Sequence, residues 1–252
     1  MRRSHRALSG SIRAGSVGAG FALLVALAPA ARADPVALEL VLAVDASSSI
    51  DYGEFQLQMR GLAKAFRHPA VAAAIKAAAP EGIAVSLMLW SGKTKQLQVV
   101  DWTKVHDAAT ASALAARIEQ APRAVLGGPT AVGSAIRFSI GLQESNRFAG
   151  KRRVIDVSGD GRANHGELAA DARADAVARG MTVNGLAILN EQPDLAAYYL
   201  AGVIGGPGAF LLTADDYHDF ARAIRRKLIT EITGSPIVHR FPGAPVATAG
   251  LN

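Results

Sequence analysis

The residues with the most to offer chemically stand at the end of one apolar run. VLAVDASSSI, residues 41 to 50, delivers Asp45 into a cluster of hydroxyls, with Ser47 and Ser49 in D-x-S-x-S spacing and Ser48 between them. A carboxylate and hydroxyls on one tight turn are hard oxygen donors, suited to Mg2+, Mn2+ or Ca2+ rather than to zinc. Two further residues occupy comparable places. Thr130 follows Gly127-Gly128-Pro129, and Asp160 lies between Gly159 and Gly161 after the apolar run Val154 to Ser158. Glycines on either side of a carboxylate permit a tight, close-packed turn at the end of a strand.

The elements that must position these residues can be read from periodicity. A run of Leu and Val without polar alternation is a strand buried on both faces, as in parallel sheets covered by helices. Such sheets hold their ligands at the carboxyl ends of the strands. Phe55, Met59, Leu62 and Phe66 form the stripe of an amphipathic helix ending near His68-Pro69, and Val71 to Ala79 is a short helix closed by Pro80. Ile83 to Trp90 and Gln96 to Trp102 are two β-type runs joined by Ser91 to Lys95, which predicts a hairpin and one antiparallel edge strand. Lys104 to Gln120 reads as a helix. So does the segment carrying Val132, Ile136 and Ile140, with Thr130 where an N-cap is wanted.

The pattern then alternates, with a helix over Glu167 to Arg179, a strand over Met181 to Leu189, a short helix over Asp194 to Ala201 and a strand over Ala209 to Thr213. The last helix carries Tyr217, Phe220, Ile224 and Leu228 on one stripe, with Thr213 or Asp215 as its cap. Arg225, Arg226 and Lys227 lie toward its end, where they suit the helix dipole. Strands alternating with helices give an α/β fold, a mostly parallel sheet of about six strands with helices on both faces. The loops at Asp45, Thr130 and Asp160 then gather along one edge of it.

Composition bounds the function. Of the 252 residues, 1–33 read as a secretory signal peptide: Arg2, Arg3, Arg6 and Arg13 begin it, Val17 to Ala28 is its apolar core, and Ala31-Arg32-Ala33 is a small-x-small cleavage signal. This predicts a periplasmic or secreted protein. Without the five arginines of that leader the remaining chain has 22 basic and 21 acidic side chains. So even a balance gives no support for nucleic-acid binding, and no later stretch is long and apolar enough to span a membrane. Residues 34–233 form one domain, and the Pro/Gly/Ala-rich residues 234–252 read as a flexible tail. With no cysteine, zinc-thiolate sites and cysteine catalysis are excluded.

Taken in order, D-x-S-x-S at Asp45, Ser47 and Ser49, a threonine after a Gly-rich loop at Thr130, and Asp-Gly at a strand end at Asp160 resemble a von Willebrand factor type A (vWA) domain. Residues 36 to 232 resemble in particular a family of secreted bacterial vWA-like proteins of unknown function. The resemblance implies a Rossmann-like fold and a metal-ion-dependent adhesion site (MIDAS). Ser47, Ser49 and Thr130 would bind the ion directly, and Asp45 and Asp160 directly or through water. Two carboxylates against a dication leave room at an open position for a carboxylate from a protein partner, which is what the resemblance implies for adhesion-type domains. Pro129 before the threonine, and Ser48 where glycine is common, are departures that bear on affinity and metal choice.

The same residues admit readings without an ion. Asp45 and Ser47 can make an Asx or hydroxyl turn, Thr130 can be an N-cap alone, and Asp160 a turn residue. A metal-dependent hydrolase and a structural domain with a vestigial site are the alternatives to a binding module. Against hydrolysis, neither a G-x-S-x-G elbow nor an HExxH helix occurs, and His165 is the one histidine placed near the site. Ser48 and Asp51 read as helix caps, and Asp156 as a residue with a buried structural partner such as an arginine. Gly205 to Gly208 lacks the lysine of a P-loop and reads as a turn.

Overall fold

Leu38, Leu40, Leu42 and Val44 turn to one face of a central strand, Val41 and Ala43 to the other, and each set meets its own layer of helices. The fold is that of a computed structural model describing residues 33–234. The leader expected over 1–33 and the tail expected over 234–252 lie, but for Ala33 and Gly234, outside the described residues. Among the described residues no helix is long and apolar enough to cross a membrane.

The elements run β1 (Asp34–Asp45), α1 (Tyr52–Phe66), α2 (Pro69–Ala77), β2 (Ile83–Trp90), β3 (Gln96–Val105), α3 (Ala108–Gln120), α4 (Val132–Glu144), β4 (Phe148–Gly159), α5 (Ala169–Ala178), β5 (Thr182–Ile188) and α6 (Leu195–Tyr198). A π-helical turn (Tyr199–Val203), β6 (Leu211–Ala214) and α7 (Phe220–Thr233) complete them. The strands form one sheet in the order β3-β2-β1-β4-β5-β6. Every pairing is parallel except β2 with β3, the expected hairpin with β3 at the edge. Helices α1, α2, α3 and α7 cover one face, and α4, α5, α6 and the π-helical turn the other. The mostly parallel six-stranded α/β fold expected from the sequence is the fold observed.

Register fixes what the carboxyl edge can present. Asp45 pairs with Trp90 on β2, and the last β1–β4 pair is Val44 with Ser158, so Asp45 comes abreast of Gly159. Asp160 is then the next residue after β4.

Several boundaries differ from those expected, each for a local reason. The strand β3 runs on to Val105, because Lys104 and Val105 still pair with β2, and α3 begins after Asp107, whose side chain accepts from the Thr110 N–H at 2.8 Å in a capping box. The last helix begins at Phe220, so neither Thr213 nor Asp215 caps it and Tyr217 precedes it. Its three consecutive bases consequently sit in mid-helix rather than at the dipole's negative end, and Lys227 is turned wholly inward.

There Lys227 Nζ meets Asp156 Oδ1 at 2.9 Å and Glu231 Oε1 at 2.5 Å, while the Asn184 amide donates to the same Glu231 oxygen at 2.9 Å. Asp156 thus has the buried structural partner expected, and that partner is a lysine rather than an arginine. Helix α7 brings its one buried cation over β4, whereas Arg152 is spent on the carbonyls of Glu231 and Ile232 at 2.7 and 2.9 Å.

Candidate metal centre

Three loops build the site at the carboxyl edge, and each is held by its own backbone. After β1 the chain turns sharply: the Ser47 N–H donates to Asp45 Oδ1 at 2.8 Å, an Asx turn that aims the next hydroxyls back at the sheet. Asp51 caps α1 as expected, its side chain accepting from the Glu54 N–H at 2.8 Å. Ser48 does not cap. Its N–H donates to Gly128 O at 2.9 Å and its Oγ accepts from the Gly128 N–H at 2.7 Å, so it clasps the glycine-rich loop. That loop needs glycine there: Gly128 has φ 117°, and a Cβ on it would stand 2.7 Å from Ser91 Oγ.

Thr130 is set by a different pair of loops. Its N–H donates to Asn164 Oδ1 at 2.9 Å, and its carbonyl accepts from Asn164 N–H at 2.9 Å and His165 N–H at 3.2 Å. Helix α4 starts at Val132 after Ala131 and has no side-chain cap, so Thr130 is not the N-cap considered above. Its hydroxyl faces the loop of Asp160, with Oγ1 3.8 Å from where a Cβ of Gly161 would lie. His165 belongs to this scaffolding too, its Nδ1 accepting from the Lys93 N–H at 3.1 Å.

The predicted site residues come together. Ser47 Oγ lies 3.3 Å from Ser49 Oγ, and Ser49 Oγ donates to Asp160 Oδ1 at 2.8 Å, bridging residues far apart in sequence. Asp45, Ser47 and Asp160 are fully buried, whereas Ser49 is exposed. The group therefore has a dry floor and an open mouth. That mouth is a cleft of about 470 Å³ that Ser49, Thr130, Asp160, Arg162, Glu191 and Gln192 help to line. A second cleft, of about 310 Å³, lies between β4, β5 and α7, away from these residues.

Electrostatically the floor is unbalanced. Burial, and next the charge of Asp160, push the Asp45 carboxyl up to about 8. Burial raises Asp160 as well. Each carboxylate keeps one oxygen, Asp45 Oδ2 and Asp160 Oδ2, that is buried without a hydrogen-bond partner. Two buried phenols stand beside them. Burial raises Tyr199 and Tyr217, and the next contribution comes from Asp45 for Tyr199 and from Asp160 for Tyr217. Neither phenol oxygen has a hydrogen-bond partner of good geometry.

This donor set fits a hard dication. Two carboxylates with unpartnered oxygens and three hydroxyls converge from three loops, all oxygen, with no sulfur or imidazole among them. No group of three or more His, Cys, Asp or Glu among the described residues is placed to hold a metal ion, so carboxylates alone would not have identified the place. What the sequence did not disclose were Asn164, which orients Thr130, and the two tyrosines. Asn164 follows Asp160 closely enough to be suspected, but the tyrosines read as ordinary apolar-stripe aromatics.

Gly159 shows how tightly the floor is closed. A Cβ built there would stand 2.8 Å from Asp45 Oδ2 and 3.1 Å from Tyr199 Oη. Gly159→Ala is expected to destabilise the protein by about 1–3 kcal/mol in urea denaturation, as overpacking of a filled interior does. An unchanged midpoint would mean that the floor has slack.

The family described as "Protein of unknown function (DUF1194)" matches residues 35–236. No curated protein matches the chain. Among solved structures, proximal thread matrix protein 1 from the mussel byssus is similar, with TM-score 0.57, 15% identity, 81% of this chain covered and 50% of that one. The chain thus spans half the length of that protein. A further structure of the mussel protein, described as having a zinc-occupied MIDAS motif, gives TM-score 0.50 at 12% identity over 76% of this chain and 44% of that one. The von Willebrand factor type A protein from Catenulispora acidiphila gives 0.53, with 13% identity, 78% and 43% coverage. The pilus adhesin SpaC from Lactobacillus rhamnosus GG gives 0.54, with 14% identity, 78% and 30% coverage. At these identities the likeness is one of fold, and the fold is that of a vWA domain.

Proposed function

Because the chain belongs to the DUF1194 family and has the vWA fold, we propose that it is an exported binding module. In this reading it holds a divalent cation through Asp45, Ser47, Ser49, Thr130 and Asp160 and engages a protein partner that presents a carboxylate. The observation that carries the proposal is the pair of buried, unpartnered carboxylate oxygens, Asp45 Oδ2 and Asp160 Oδ2, on side chains whose other oxygens are linked through Ser47 and Ser49. Burying charged oxygens without a counter-charge is costly, and a dication is the economical remedy. Mg2+ or Mn2+ suits the all-oxygen donors best, with Ca2+ as the larger alternative. Zinc in the mussel protein's MIDAS motif shows that a vWA relative accepts a divalent cation there.

Support for a protein partner comes from exposed side chains on the connections that build the carboxyl edge. Tyr52, which opens α1, and Leu126 and Leu168, on the loops before α4 and after β4, are 67%, 73% and 69% exposed. Large apolar side chains left in water on the connections at the sheet's carboxyl edge suit a macromolecular surface better than a small solute. The likeness to a pilus adhesin agrees with that use. Export rests on the leader read from the sequence.

Calorimetric titration of the protein with Mg2+ and with Mn2+ tests the ion, and saturable binding lost in Asp160→Ala protein is the expected result. Absence of any binding heat across the millimolar range, or an Asp160→Ala protein that binds as well as the parent, would sink the proposal. With Mn2+ bound, the relaxation rate of bulk water should rise, and added acetate should lower it by displacing water from the open position.

A further inference from the structure

Two phenols sit where the bound ion's carboxylates need support. Tyr199 is fully buried and Tyr217 is 3% exposed; neither hydroxyl meets a partner in good hydrogen-bond geometry, and Tyr217 comes near enough to Asp160 to act on its carboxyl as a weak donor. They arrive from opposite sides of the sheet. Tyr199 opens the π-helical turn and packs with Val41, Ala43 and Trp90, whereas Tyr217 comes from the loop between β6 and α7 and packs in the other layer. A π-turn inside a helical segment is uncommon and recurs at functional sites. Here it divides two adjacent tyrosines: Tyr198 lies partly exposed, its Oη accepting from the Ala163 N–H at 3.3 Å, while Tyr199 turns inward.

The acceptors within reach are the two idle carboxylate oxygens. Asp45 Oδ2 and Tyr199 Oη flank the bare Cα of Gly159, 2.8 and 3.1 Å from the point its Cβ would occupy. The Tyr217 hydroxyl approaches Asp160 as a weak donor, and because Asp160 Oδ1 is already taken by Ser49, Oδ2 is the oxygen without a well-formed bond. A buried hydroxyl without a partner is unfavourable, and phenylalanine would fill either place without that penalty. The hydroxyls are therefore accounted for by a hydrogen bond that a small rotation of either group completes.

We propose that Tyr199 and Tyr217 are positioning residues, donating to Asp45 and Asp160 respectively so that each carboxylate turns its other side to the cation. The inference rests on the ion-binding reading above. Groups that orient metal ligands through their outer oxygens typically change metal affinity by about 10–100-fold when removed.

Tyr199→Phe, Tyr217→Phe and, as control, Tyr198→Phe test it by Mg2+ and Mn2+ calorimetry alongside thermal melting in EDTA. The first two are expected to weaken binding about 10–100-fold while melting in EDTA close to the parent, because the ring still fills its place and only one imperfectly formed hydrogen bond is lost. Tyr198→Phe should bind as the parent does. The parent's near-ultraviolet tyrosine absorption should also shift to the red on adding Mg2+, by less in each of the two variants. Parent binding with Tyr199→Phe and Tyr217→Phe both unchanged overturns the positioning role and leaves the ion site standing. Weaker binding accompanied by an equal loss of melting temperature in EDTA overturns it in favour of packing alone. A parent that binds neither cation removes the ion site, and the inference with it.

Discussion

Lys227→Met is expected to destabilise the protein by about 3–5 kcal/mol, a large share of the stability of a domain this size. Lys227 is fully buried and is the cation for two carboxylates, Asp156 at 2.9 Å and Glu231 at 2.5 Å, both at most 2% exposed. Burial, and next the nearby Glu231, already raise the Asp156 carboxyl with the lysine in place. Without it two acids face each other in a dry interior. The loss therefore comes from stranded charge more than from the missing contact. Urea denaturation at pH 7 measures it, and two further results are expected. Lowering the pH, which protonates the stranded acids, should shrink the deficit, and adding Asp156→Asn to Lys227→Met should recover part of it. A deficit below about 1 kcal/mol at neutral pH would mean that water reaches this cluster.

The second large effect is on pH dependence in EDTA. Asp45 is raised from an ordinary 3.8 to about 8, by burial first and Asp160 second. Between those values the unfolded chain has released this proton and the folded chain retains it. Its contribution is therefore fully present below 3.8 and is lost as the pH rises to about 8. In that window stability should fall by up to about 1.4 kcal/mol per pH unit from this group. Asp160 and Asp156, both raised chiefly by burial, act with the same sign. Urea midpoints in EDTA should accordingly decline from pH 5 to pH 8, and Asp45→Asn should flatten the decline. Mg2+ should stabilise most at the alkaline end, where it competes with the fewest protons. A midpoint that holds level or climbs from pH 5 to pH 8 in EDTA would falsify this account of Asp45.

Much of this was legible because it is local. An apolar run ending in Asp45, glycines bracketing Asp160 and a hairpin-length loop after Trp90 each announce themselves within a few residues. Thr130 was found for the same reason. Its alternative role as an N-cap failed because Ala131 intervenes and the chain spends Thr130's backbone on Asn164 and His165. What sequence could not supply were long-range pairings between residues whose types suit two jobs. Lys227 in a run of three bases resembles a helix-dipole complement, and only the face that α7 turns to β4 makes it the partner of Asp156. Tyr199 and Tyr217 resemble core aromatics until the carboxylates beside them are in view. Ser48 resembles a cap until Gly128 comes to meet it.

The bond between Ser49 and Asp160 joins residues 111 apart in the chain, and this dictates when the site can come into being. Parallel strand pairing closes a long loop before any contact rewards it, so such topologies assemble slowly and late. Until β1, β2 and β4 have paired, Asp45 and Asp160 belong to separate stretches of coil with no shared geometry to offer a cation. The ion of the proposed function could not serve as a nucleus around which the chain condenses. On the proposed reading it can only be acquired by a finished sheet, so a cation at the site would be drawn from the surroundings in which folding ends rather than those in which synthesis began.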